Sequence, residues 1–174
     1  MKKQLLILLI LIPMFTKLYA QKEIEGCIVT MAESNGDSFI VKNDTITVDI
    51  EPSEYFWKVK ITNNLNKDIR VIWEKSNFIP NGEASRIIFN DTSRLLKNVP
   101  NQDQEIPPNT YVTKRIYPYN YLGSDFLIPT IKKKYVKARQ EKGVVCKTQI
   151  ILAIGIGDET KKYAYNFEIT PKIK

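Results

Sequence analysis

The chain has 174 residues, a formal net charge of +7 and no histidine. Without histidine, Ser-His-Asp and Cys-His catalysis and histidine-ligated zinc or copper are excluded. The two cysteines are too few for a thiolate zinc site or an iron–sulfur cluster. No metal centre or cofactor is expected, and the residue types present leave carboxylate-based or Ser-Lys hydrolysis as the catalytic routes.

The chain opens with Lys2 and Lys3, an almost wholly apolar run over 5–15, and Leu18-Tyr19-Ala20 ending in a small residue. This layout predicts a cleaved secretory signal peptide over 1–20, with Gln21 as the new N-terminus. The apolar run falls well short of the roughly 20 residues a helix needs to cross a bilayer. One domain over 21–174 is expected, exported to the periplasm or the cell exterior. A lipoprotein reading of Ile24-Glu25-Gly26-Cys27 is disfavoured because Glu25 stands where a small residue is needed and Lys17, Lys22 and Glu23 break the apolar approach. Loss of Lys2, Lys3 and Lys17 lowers the formal charge from +7 to +4. That mild excess is no nucleic-acid footprint.

Period-2 alternation governs the rest of the chain. Over 45–51, Ile46, Val48 and Ile50 alternate against Thr45, Thr47 and Asp49. Over 55–62, Tyr55, Trp57, Val59 and Ile61 share a face. The asparagine-rich stretch 63–67 predicts a turn, and 68–73 returns with Ile69, Val71 and Trp73 inward, making 55–73 a strand–turn–strand unit. Ile79-Pro80-Asn81-Gly82 marks a turn before the apolar Ile87-Ile88-Phe89. Residues 91–109 read as a long connection, 110–117 as a strand, and 130–141 as a helix without a clean apolar stripe. The longest apolar stretch, 144–156, turns at Gly157-Asp158 into 161–169, where Tyr163, Tyr165, Phe167 and Ile169 alternate. Seven to nine strands with one short helix predict an all-β fold, a single immunoglobulin-like antiparallel β-sandwich, with a partly closed barrel as the alternative.

Ile61-Thr62-Asn63-Asn64, 67–73 and 82–88 together resemble a group of exported bacterial Ig-like β-sandwich proteins of uncharacterised function. The resemblance implies the sandwich fold and carries no catalytic residues.

Cys27 and Cys146 form an even pair suited to a disulfide in an oxidising compartment. Such a bridge would close a loop of about 120 residues, worth roughly 4–5 kcal/mol; two separately buried thiols are the alternative. Tyr117-Pro118-Tyr119-Asn120-Tyr121 would place Tyr117, Tyr119 and Tyr121 on one face of an extended segment, as a stacking platform for glycan or as rings covering the sheet edge. Lys132, Lys133, Lys134, Lys137, Arg139 and Lys142 form a basic run, a solvated face or an attractor for an anionic partner. Asn43-Asp44-Thr45 and Asn90-Asp91-Thr92 read as turns, and Glu51, Glu54 and Glu74 form no recognisable catalytic pair. The expected function is a non-catalytic domain that binds another envelope protein, with glycan binding as the alternative.

Overall fold

A computed structural model describes residues 20–32, 34, 38–91, 98–123 and 126–173. The expected signal segment lies outside them except for Ala20. In chain order the strands are β1 (Ala20–Ile24), β2 (Cys27–Met31), β3 (Ile40–Lys42), β4 (Ile46–Glu51), β5 (Trp57–Asn63), β6 (Ile69–Val71), β7 (Asn77–Pro80), β8 (Ser85–Phe89), β9 (Gln104–Ile106), β10 (Tyr111–Pro118), β11 (Cys146–Ile156) and β12 (Glu159–Pro171). The helix α1 (Lys133–Gln140) precedes β11.

The strands form one curled antiparallel sheet in the order β1-β2-β12-β11-β7-β8-β10-β5-β4-β3, with β6 pairing β11 and β9. Curling brings the two halves face to face: Trp57 of β5 packs edge-on against Phe78 of β7 and Phe167 of β12, at ring-centroid distances of 5.2 and 4.9 Å. Among the described residues β1 and β3 each have one neighbour, so the sheet does not close into a barrel. Among the described residues twelve strands stand where seven to nine were expected. The surplus comes from short pieces such as β3, β6 and β9, three residues each, too brief for alternation to register.

Alternation fixes which side chains point inward. Ile46, Val48 and Ile50 of β4, then Trp57, Val59 and Ile61 of β5, are all buried. The long hairpin is in register from Cys146↔Ile169 to Ile156↔Glu159. Its two-residue loop has Gly157 at φ 59°, the positive φ that a tight hairpin turn demands at its first central position.

The strand–turn–strand unit over 55–73 requires correction. Both strands form, yet they do not pair: β5 lies between β4 and β10, whereas β6 joins β11 and β9. The turn carries the chain across to the facing half. Asn63, buried, anchors the crossing by donating its amide to the carbonyls of Lys67 and Ile106 at 2.8 and 2.9 Å while its Oδ1 accepts from Leu65 N–H.

Trp57 also donates its indole N–H to Thr130 Oγ1 at 2.9 Å, in a fully buried contact. Trp57→Ala is therefore expected to lower unfolding free energy by about 3–5 kcal/mol. Thr130→Val, which orphans the indole N–H while keeping the volume, should cost about 1–3 kcal/mol. Urea denaturation of the two variants checks both; a Thr130→Val protein as stable as the parent would show that this hydrogen bond adds nothing.

Candidate functional site

A cleft lies where α1 covers the sheet. It encloses about 350 Å³, the lower end of the size range of small-ligand sites. The strands supply its floor through Cys146 and Ile169, the turn after β7 supplies Asn81, and the segment leading into the helix supplies Ile128, Pro129 and Thr130.

The helix presents Tyr135, Val136, Ala138 and Arg139 to this cleft, and Lys132 stands at its N-cap. Tyr135, Ala138 and Arg139 stand at i, i+3 and i+4, the spacing of one helical face. Only Val136 in the helix is buried. The inward face thus mixes cationic and apolar groups, which is why no apolar stripe shows in the sequence. Lys137 and Arg139 also lie in the last turn, where positive charge complements the exposed carbonyls of a helix C-terminus.

Asn81 is placed by a tight turn. It adopts φ 53° and Gly82 φ 85°, and Glu83 N–H donates to Pro80 O at 3.1 Å. Asn-Gly suits two successive positive φ values. Asn81 N–H donates to Lys147 O at 2.6 Å, fixing the turn to β11, and its side-chain amide reaches Tyr121 Oη at 3.4 Å.

Four buried side-chain polar atoms lack a hydrogen-bond partner among the described residues, and two of them, Asn81 Oδ1 and Arg139 Nε, are inaccessible atoms of residues that line this cleft. Three lining side chains are cationic, Lys132, Arg139 and Lys142, and none of the lining residues is acidic. Lys132 is drawn toward Glu54 at 3.9 Å. The basic run is divided: Arg139 of α1, with Lys132 before the helix and Lys142 after it, lines the cleft, while Lys133 turns to donate to Lys172 O at 3.0 Å.

The expected Cys27–Cys146 disulfide is absent; both cysteines are buried free thiols. The reason is topological. β12 pairs with β2 on one side and β11 on the other, so it separates the two cysteines. Two inter-strand spacings amount to roughly 10 Å, beyond the roughly 7 Å Cα separation a bridge tolerates. Burial pushes both thiols above their ordinary pKa; nearby Lys133 opposes the rise at Cys27, and the Arg139 guanidinium opposes it at Cys146.

The tyrosine cluster does not form a common face. Tyr117 is fully buried, its hydroxyl set between the backbone carbonyls of Tyr121 and Ile128, and burial raises its pKa far above the usual phenol value. The chain leaves the extended conformation at once, since Tyr119–Tyr121 is a single 3-10 turn. Tyr119 turns away under Arg86, 4.7 Å from its ring centroid, and donates to Asn98 Oδ1. Tyr121 alone of the three lines the cleft. The stacking platform expected from alternation is thus dismantled by burial and by the turn.

Among the described residues no cluster of His, Cys, Asp or Glu could hold a metal ion. Glu51 is engaged by Lys58 at 2.8 Å, which lowers its pKa, and Glu74 accepts from Asn101 N–H. Asn43 forms the expected turn by accepting from the Thr45 and Ile46 N–H groups.

No protein-family model matches the chain, and no curated protein matches it. A crystal structure of a protein from Archaeoglobus fulgidus aligns with a TM-score of 0.36 and 11% identity, over 89% of this chain and 99% of its own. At that level the likeness bears on neither family nor function.

The thiols furnish a direct check. Folded protein at pH 8 should react slowly with a thiol reagent, and denatured protein should titrate two thiols without prior reduction. Since the folded thiols ionise at higher pH than unfolded ones, the folded state holds more protons above the ordinary thiol pKa, and stability should fall as pH rises through that range. Recovery of reducible protein with no free thiol would contradict the strand order.

Proposed function

We propose that the protein is a non-catalytic binding domain of the cell envelope, built on an Ig-like sandwich plan and recognising a protein partner through the cleft beneath α1. The observation that carries this reading is a cleft whose lining joins apolar side chains to three cations and has no acidic residue. Apolar surface with a few polar and charged groups set into it is the usual make-up of a binding cleft.

Export fits the signal-like N-terminus. Cleavage after Ala20 would take the first residue of β1, which pairs with Met31, and leave Gln21 to Ile24 paired with Thr30 to Cys27. Processing at Cys27 would remove that strand, and the cysteine itself is buried; both weigh against lipidation. The glycan alternative rested on three exposed tyrosines and loses its platform with Tyr117 in the core.

Photocrosslinking in intact cells tests the reading. Benzoylphenylalanine in place of Tyr135, half exposed at the cleft, should capture the same envelope protein reproducibly. The probe in place of Tyr111, exposed on β10, should not, and Arg139→Glu should abolish capture at position 135. Equal capture at both positions, or capture indifferent to Arg139→Glu, would remove the cleft as the recognition site.

A further inference from the structure

We infer that the outer side of α1, with the Val144-Val145 segment that follows it, docks onto an anionic phospholipid surface, Lys134 and Lys137 at the headgroup phosphates and the two valines below them. Neither lysine lines the cleft, so this face is distinct from the recognition site and independent of what the cleft takes.

Six cations and one acid, Glu141, stand over 132–142. Three of the cations are engaged within the fold: Lys132 leans on Glu54 at 3.9 Å, Lys133 donates to Lys172 O, and the Arg139 guanidinium meets the Cys146 thiol. Lys134, Lys137 and Lys142 are exposed and have no ion-pair partner among the described residues. Each helical residue turns the chain by about 100°, which sets Lys134 about 160° around the helix from the buried Val136 and Lys137 about 100° from it. The positive charge on the outer side of α1 is therefore left to an external counter-charge.

Exposed hydrocarbon gathers at the same place. Eight large apolar side chains are exposed among the described residues, and four of them, Tyr135, Val144, Val145 and Ile173, lie on or beside α1. Gly143, at φ 72°, turns the chain out of the helix, and Val144 N–H donates to Arg139 O at 3.0 Å. Val145 stands directly before β11. Ile173 follows Lys172, whose carbonyl receives the Lys133 ammonium. Two adjacent valines, 42% and 54% exposed, are thus held in water at the end of a basic helix.

The partner of such a face offers spread negative charge with an apolar layer behind it. A bilayer offers both: each lysine near anionic headgroups adds about fivefold to binding, and apolar side chains dip past the headgroups to the acyl boundary. Five of the six cations are lysines, hydrated point charges on flexible stems that suit a fluid array of phosphates. Protein interfaces favour arginine and deplete lysine. Single-stranded nucleic acid is met by stacked aromatic rings, and a polyanionic glycan has no apolar layer to receive two valines.

Vesicle flotation of the protein as recovered from cells tests the face, with phosphatidylcholine vesicles alone or containing about 30% phosphatidylglycerol, at about 0.1 M salt. The protein should float with the anionic vesicles and not with the neutral ones, and about 0.5 M salt should release it. Lys134→Gln with Lys137→Gln should weaken binding about twenty- to thirtyfold, and Val144→Ser with Val145→Ser about three- to tenfold. Lys161→Gln with Lys162→Gln, exposed near the start of β12, should change nothing. Circular dichroism and melting curves establish that each variant is folded. Equal binding to both kinds of vesicle, or binding unmoved by the lysine pair or by the valine pair, overturns the docking face. So does binding to neither; retention on polyglutamate through Lys134 and Lys137 would then assign the face to an acidic polypeptide instead.

Discussion

The indole of Trp57 meets Phe78 and Phe167 edge to face and donates its N–H to Thr130 Oγ1. These contacts come from the half of the sheet that faces β5 and from the segment that leads into α1. Thr130 in turn is tied to the turn before β5: its N–H donates to Glu54 O at 2.7 Å, and its hydroxyl lies within 3.0 and 3.2 Å of the carbonyls of Glu54 and Ser53. One buried ring therefore sets the separation of the halves and the level at which the helix begins. Edge-to-face packing adds about 0.5–1.5 kcal/mol per pair beyond the burial itself, and the orphaned N–H would otherwise oppose folding. The position of the cleft follows from this anchor, because Thr130 is both its wall and the partner of the core tryptophan.

Strands such as β4 and β5 were legible because burial alternates at every second residue, and that signal is local. Strand partners are not local. The stretch 55–73 has the apolar rhythm and turn chemistry of a hairpin, yet the same rhythm serves equally well when the second strand joins a different neighbour. What decides the outcome is the fit of Ile69 and Val71 against the facing half and the two carbonyls held by Asn63. Neither leaves a mark in the residues between the strands. The 144–169 hairpin was readable in full because Gly157 forces the turn and eleven register pairs follow from it.

The cleft was only half visible for a related reason. A basic run was evident, but a count of lysines does not say which of them line a cleft; the fold turns Lys132, Arg139 and Lys142 to it and Lys133 to the Lys172 carbonyl. Asn81 read as a turn residue, which it is, and nothing in Asn-Gly reports that its side-chain oxygen is left without a donor. The cysteines misled in the opposite direction. An even pair suggests a staple, whereas the strand order places β12 between them and leaves each thiol to pack as a small apolar side chain.

The cleft is an expense that the fold did not have to bear. A stripe of leucines on the inward face of α1 would have closed the space against β11 and β12 and stabilised the helix, which instead buries Val136 alone. An unpaired buried donor or acceptor costs about 1–3 kcal/mol, and Asn81 and Arg139 each contribute one at the same place. The core around Trp57 is extensive enough to tolerate this, with both tryptophans, Phe78 and Phe167 buried. The helix is held instead by its anchor: Thr130, tied to the Trp57 indole and to the Glu54 carbonyl, fixes where it begins, and its inward face is left incompletely packed.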